Sequence, residues 1–271
     1  MQPWAETIGI VMLGAMGVWV GRWFSRLAKP FWLLGYLMPL TLIVLIGLAY
    51  RFRVLEFVPP FSWLMAGRSE FAWTALVGTM VLTTPLCKLP LRRDRIAVSV
   101  LMVWVVFQVS AWPFLAPAFN RDKLDALQTR IDSDGICLQN TDYTCGPAAA
   151  VTALRRLGFG ADEGEIARLC NTSTALGTPP DILCRTLRQR YAAEGLICDY
   201  RPFKSVADLK QAGYTLALIR FAFLLDHYAT VLEVGDRTIT VGDPLTGKET
   251  LTHEEFAKRW RYVGVVVKRK T

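Results

Sequence analysis

Apolar and polar positions follow two different rhythms in the two parts of this chain. Residues 7–21, 31–50, 71–87 and 96–115 form runs without a charged side chain, and Gln108 is the most polar residue in them. Two of the runs match the ~20 apolar residues a helix needs to cross a bilayer core. The first and third are shorter and need flanking Trp4, Arg22 and Trp23 at the interface. Backbone groups in lipid must bond internally, so the pattern predicts four spanning helices. From residue 120 onward the pattern changes to short helices and strands. Apolar spacing predicts helices at 146–158, 163–170 and 180–193. A capping-box pattern at Ser205/Asp208 starts another helix, and Thr252/Glu255 starts one more. Strands are expected at 214–221, 227–234, 237–242 and 262–268.

Composition supports that division. Eight of nine Trp lie at or before Trp112, and Trp19, Trp23, Trp32, Trp63, Trp73 and Trp112 fall near the run ends, where aromatic belts form. Up to Leu115 there are ten Lys/Arg against four Asp/Glu, concentrated between the runs. That basic excess reads as a topology signal. Arg22, Arg26 and Lys29, and then Lys88, Arg92, Arg93 and Arg95, place the first and third loops in the cytoplasm and both termini outside. The expectation is a multi-pass cell (inner) membrane protein with its second half extracytoplasmic. Glu6 and the lack of an early Lys or Arg argue against a cleaved signal peptide. No ionisable residue lies within the runs, so an anchor is expected rather than an ion path. No basic stripe with interleaved aromatics suggests nucleic-acid binding, and no phosphate-binding G-x-x-x-x-G-K-[ST] loop suggests ATP. The division is therefore 1–118, a transmembrane region with four helices, and 119–271, an α+β domain.

The second half carries the candidate chemistry. Cys145 opens a predicted helix, where the N-terminus favours a thiolate nucleophile. Gln139, six residues upstream, can join the Cys145 backbone N–H in an oxyanion hole. The chain has two histidines, His227 and His253. His227 starts a predicted strand, and Asp243 ends the next. A three-residue loop at 234–236 places Glu233 opposite Arg237, Val231 opposite Ile239, Ala229 opposite Val241 and His227 opposite Asp243. That register sets a carboxylate beside the imidazole. His253 is the rival base and reads as a solvated residue at a helix start. Asp226 points to the other side of the strand and is a poor orienter. Tyr143 and the 177–180 loop are expected to line a cleft.

These motifs resemble those of a known group. Gln139 with Cys145-Gly146-Pro147-Ala148, then Asp226-His227-Tyr228, then Gly242-Asp243-Pro244 are similar to the motifs of the bacteriocin-processing, double-glycine leader peptidases, which are papain-like cysteine peptidases. The spacings also agree: glutamine six before cysteine, and aspartate sixteen after histidine. That resemblance covers about residues 130–271. It implies Cys145 as nucleophile, His227 as general base and acid, Asp243 as orienter and Gln139 in the oxyanion hole. The expected fold is an α+β papain-like cysteine peptidase domain following an all-α four-helix transmembrane region. The expected partners are a peptide or protein substrate, the lipid bilayer and a separate transporter. No cofactor, metal, ATP or nucleic acid is expected. The alternatives are a silent peptide-docking domain, or an amidase or acyl transferase using the same residues. Cys137, Cys170, Cys184 and Cys198 either form two disulfides or remain four buried thiols.

Overall fold

The computed structural model describes residues 3–174, 177–222 and 225–270. The chain forms two compact units, one of residues 1–50 and 58–118, the other of 51–57 and 119–271. The segment 51–57, which sequence pattern assigns to the transmembrane region, therefore packs with the second unit.

The first unit holds α1 (Pro3–Arg26), α2 (Leu34–Arg51), α3 (Phe61–Leu64), α4 (Ser69–Thr83), α5 (Arg92–Val106) and α6 (Trp112–Phe119). Three helical stretches are long and apolar enough to cross a membrane: Ala5–Arg26, Phe31–Arg51 and Arg92–Ala111. By length and composition alone, three of the four expected spans qualify. The run at 71–87 yields a helix of only 15 residues, about 22 Å at ~1.5 Å per residue and short of a ~30 Å core. It stops at Thr83, two residues before Pro85. Outward faces of the long helices stay apolar, with Met12, Trp19, Leu37, Leu40, Val100 and Val103 exposed. Against one another the helices use small residues. A Cβ on Gly17 would lie 2.2 Å from the Leu76 carbonyl oxygen, and one on Gly21 2.7 Å from that of Met80. Glycine at both positions lets α1 and α4 approach closely.

The second unit is α+β. It contains α7 (Arg121–Asp125), α8 (Cys145–Arg156), α9 (Glu163–Leu169), α10 (Pro180–Tyr191) and α11 (His253–Arg259). A two-stranded ribbon pairs β1 (Arg130–Ile131) with β2 (Cys137–Leu138). The main sheet is antiparallel, in the order β3 (Leu196–Pro202), β8 (Trp260–Arg269), β4 (Tyr214–Ala222), β5 (Leu225–Val234), β6 (Thr238–Asp243), β7 (Gly247–Thr252). Both faces are buried. Leu216, Leu218, Tyr228, Val265 and Val267 pack under α8 and α10. Ala217, Ile219, Ala229, Val231 and Val266 pack on the other face with Phe256 of α11. Period-two alternation sorts neighbouring residues between two apolar cores, which explains the nearly continuous apolar runs in the central strands.

The predicted helices and central strands form with small shifts at their ends. The Ser205/Asp208 capping box is present but starts a 3₁₀ stretch, Val206–Gln211, and the Thr252/Glu255 box starts α11. The strands that pattern did not predict in this sheet, β3 and β7, are its two edges.

The hairpin register differs from the predicted one. Val231 pairs with Val241 and Thr230 with Gly242, and a bulge then sets Glu233 opposite Thr240 and Val234 opposite Ile239. Extending the first register puts Asp243 across from Ala229. Asp243 and His227 are therefore diagonal neighbours on one face, a separation that long side chains span.

Candidate active site

Cys145 is the first residue of α8, whose residues 145–154 are all buried. The helix start is held by a local turn: the Thr144 amide donates to the Thr141 carbonyl at 3.2 Å, and the Thr144 and Thr141 hydroxyls bond to each other. The first amides of a helix have no intrahelical acceptor and point at whatever sits on the N-terminus. Gly146 is required by packing. A Cβ there would meet the Tyr228 ring at 3.2 Å and Thr178 at 3.4 Å. Two buried bonds fix α8 and its surroundings to β5. The Thr230 hydroxyl donates to the Ala149 carbonyl at 2.9 Å, and the Tyr228 hydroxyl to the Thr178 carbonyl at 2.8 Å.

β5 and β6 supply the other two side chains. His227 Nε2 donates to Asp243 Oδ1 at 2.7 Å, and each side chain is 6% exposed. Cys145 lies near enough to the same imidazole to act on its charge. Burial disfavours charge on His227, but the bond to Asp243 and the influence of Asp243 and Cys145 outweigh it and lift the imidazole to about 9. Asp243 shows the reverse balance. Burial pushes it up, while His227, the Leu245 amide at 2.8 Å and the charge of Arg259 together hold it below the usual carboxylate range.

Gln139 is bound beside the end of β6. Its backbone N–H donates to the Pro244 carbonyl at 2.9 Å, tying it to the end of β6 beside Asp243. Its side-chain Nε2 donates to the Thr141 carbonyl at 2.9 Å. Its Oε1 is buried and has no partner among the described residues. The neighbouring Asn140 is clamped by Glu163, a fully buried carboxylate that accepts from both the backbone and the side-chain amide of Asn140. Glu163 was not singled out from sequence, because nothing in the spacing of 140 and 163 signals their meeting.

A cavity of about 370 Å³ opens beside the pair, lined by Phe221, His227, Asp243, Leu245, Lys248 and Arg259. Phe221 and Leu245 are exposed at its rim, and the Phe221 ring lies 5.9 Å from that of His227. Tyr143 does not line this cavity; its carbonyl lies 3.5 Å from where a Cβ on Gly177 would sit, so the two predicted cleft segments are neighbours. Residues 175 and 176 of that loop lie outside the described residues.

The remaining candidates take structural places. His253 Nε2 bonds to the Gly235 carbonyl at 3.1 Å, in the loop at the far end of the β5–β6 hairpin. Asp226 faces away from His227 and is held by Arg53 and Arg261. The second unit's five cysteines are buried. Two of them, Cys184 and Cys198, have sulfurs 3.0 Å apart, with the Cys198 thiol donating. Burial and the nearby Glu163 charge push the Cys137 thiol up to about 12. No cluster of three or more His, Cys, Asp or Glu suited to a metal occurs among the described residues.

Comparison with known proteins adds the following. An uncharacterized protein of Methanothermobacter marburgensis is 29% identical over 144 residues, covering 53% of this chain and 95% of its own. An uncharacterized protein of Methanothermobacter thermautotrophicus is 26% identical over 143 residues, covering 53% and 94%. Among solved structures, the peptidase domain of Streptococcus ComA, a bifunctional ABC transporter involved in a quorum-sensing pathway, aligns over 49% of this chain and 96% of that domain. Its TM-score is 0.44 at 16% identity. A double-glycine-motif protease from an AMS/PCAT transporter, solved with its leader peptide, aligns over 54% and 96%, with TM-score 0.42 at 16% identity. The model of the Peptidase C39 family matches residues 134–271, the stretch that contains Gln139, Cys145, His227 and Asp243. The chain thus belongs to the Peptidase C39 family, and its family domain follows a set of apolar helices.

Proposed function

We propose that the protein is a membrane-anchored cysteine peptidase that hydrolyses a peptide bond through Cys145, His227 and Asp243. The observation that carries this reading is the buried 2.7 Å contact between His227 and Asp243, on an imidazole whose charge Cys145 also influences. Cys145 attacks the scissile carbonyl carbon as a thiolate. The oxyanion forms against the Cys145 backbone N–H and the remaining N–H of the Gln139 amide. His227, as imidazolium, protonates the leaving amine, and the C–N bond breaks to give a thioester. It then takes a proton from water, which attacks the thioester. The acid product leaves, and Cys145 and His227 regain their starting state. Asp243 fixes the ring orientation and stabilises the imidazolium. The cavity beside His227, with Phe221 and Leu245 on its rim, suits an extended peptide with an apolar side chain.

The anchor and its orientation belong to the same proposal. Lys88, Arg92, Arg93 and Arg95 at the start of α5 point to a cytoplasmic start for that helix, so residues 119–271 lie outside. Arg22, Arg26 and Lys29 likewise start the second long apolar helix in the cytoplasm and bring residue 51 outside. Residues 51–57 and 119–271 build one compact unit, so the chain between them crosses the bilayer an even number of times. On this reading α4 crosses together with α5 despite its length.

The test uses the full chain in lipid nanodiscs and a peptide library that includes Gly-Gly sequences, read by mass spectrometry. The expected result is cleavage that Cys145→Ala abolishes. No cleavage of any peptide, with Cys145 folded and accessible, contradicts the peptidase reading. Reporters fused after residues 67, 90 and 271 test topology. Outside, inside, outside is expected, and a cytoplasmic reporter after 271 overturns it.

A further inference from the structure

The segment at 51–57 lies between two helices of the apolar region, more than sixty residues before the family domain begins, yet it is built into that domain. Its Arg53 Nε donates to Asp226 Oδ2 at 2.8 Å, and Arg261 Nε donates to Asp226 Oδ1 at 2.6 Å. Both carboxylate oxygens are therefore held, one by each guanidinium. Arg53 is steadied in turn by Glu56, whose second oxygen accepts from the Tyr200 hydroxyl at 2.8 Å. Arg261 also donates to the Arg51 carbonyl at 3.2 Å, and the Phe57 ring packs 4.9 Å from that of Tyr200. Side chains of Arg53, Glu56, Asp226 and Arg261 are 12%, 10%, 8% and 5% exposed. A buried carboxylate set between two guanidiniums is costly to disturb, because removing one partner leaves a buried charge under-compensated.

Asp226 immediately precedes His227 on β5. Successive strand residues face opposite ways, so fixing the Asp226 side chain on one face sets the direction of the imidazole on the other. The location adds force to this. The β4–β5 pairing is irregular between Arg220 and Ala222, opposite the start of β5, and the ladder there is Arg220 to Asp226 and Ile219 to His227. Where the ladder is irregular, side-chain bonds take over the fixing of the strand.

We propose that residues 51–57 are a working part of the peptidase domain, and that Arg53 is a positioning residue which, through Asp226, holds His227 at the angle that serves Cys145 and Asp243. The proposal rests on the peptidase reading. It makes the catalytic unit discontinuous in sequence, with one strap supplied from between two apolar helices. It also couples the anchor to the site by a route that a domain cut at residue 119 lacks.

The experiment measures the rate of Cys145 alkylation by iodoacetamide between pH 5 and 10 on the full chain in nanodiscs, with thermal unfolding followed in parallel. The variants are Arg53→Ala, Arg53→Lys and Glu56→Gln. Groups facing His227 are Cys145 from α8 and Asp243 from β6; Arg259 of α11 acts on Asp243, and Arg220, Lys248 and Glu249 line the same cavity. None of these is changed. Arg53→Ala is expected to slow labelling near pH 6 by about tenfold to a hundredfold, since small misplacements of reacting groups have effects of that order. Its pH profile moves toward that of His227→Ala, and Arg53→Lys restores part of the rate. Should Arg53→Ala not fold, the milder Glu56→Gln shifts the profile in the same direction. Folded Arg53→Ala or Glu56→Gln protein with the wild-type profile overturns the proposal. Wild-type labelling no faster than that of His227→Ala overturns the peptidase reading instead, so the two failures are distinct.

Discussion

Asp226 and His227 are adjacent on β5, and both take part in buried ionic contacts, but the two contacts are built differently. Asp226 is gripped by two guanidiniums, groups that stay charged at any pH a protein meets. His227 is paired with one carboxylate, and its own proton is free to move. The first arrangement holds a position and is indifferent to acidity. The second can pass a proton to a leaving group and take one back. Buried charge thus serves as a fixture on one face of the strand and as reactive chemistry on the other, with the fixture aiming the chemistry.

Substitutions can break this contrast, and the largest effect is expected at the sulfur. Cys145→Ala removes the nucleophile, and peptide cleavage falls by at least about 10⁴-fold, to the level of the uncatalysed background, in a peptide-release assay. Asp243→Asn comes next. It leaves the shape of the pair but permits the wrong tautomer, and kcat is expected to drop by about 10² to 10⁴ with KM little changed. On the other face, Asp226→Ala strips the carboxylate from two buried guanidiniums. The loss is expected to appear as stability, about 3–5 kcal/mol in denaturant unfolding. An Asp226→Ala protein as stable as wild type would show that the clamp is not what holds this strand end.

Acidity distinguishes the two contacts without mutation. The His227 imidazole is raised to about 9 in the folded chain against an ordinary 6.5. Folding therefore gains from its proton fully below about pH 6.5, and loses that gain as pH rises through about 9. The amount is on the order of 3 kcal/mol, and His227→Gln should remove the slope. Asp243, held low, acts in the opposite direction, and its contribution disappears as pH falls into the acid range. The smallest effect is expected at Glu163→Gln, which keeps an acceptor for Asn140 but loses the charge. A cost of about 1–2 kcal/mol is expected, with a fall in kcat if the Gln139 loop shifts.

Much of the site was legible in the sequence. Cys145 at a helix start, His227 at the head of one strand and Asp243 at the end of the next are local signals, and helix capping and alternation place them. The hairpin register was not legible. The bulge between Val231 and Glu233 depends on packing between two cores, and pairing charges or apolar residues by eye does not reveal it. Edge strands β3 and β7 do alternate between buried and exposed positions, but Pro202 and the polar run Lys248–Thr250 weaken the apolar signal that marks a strand. The run at 71–87 is apolar enough to read as a span, while its helix length is set by where the turn at Pro85 falls. Least visible of all was Arg53. Its partner Asp226 lies 173 positions away, and an arginine just after an apolar helix looks like an interfacial charge until the fold brings the two together.

The most direct test of the central claim compares the cysteines of one domain. The wild-type chain, treated briefly with iodoacetamide at about pH 6 and digested for mass spectrometry, should carry label on Cys145 well before Cys137, and His227→Ala should abolish that preference. Equal labelling of Cys137 and Cys145, or a preference that survives loss of His227, would contradict the account.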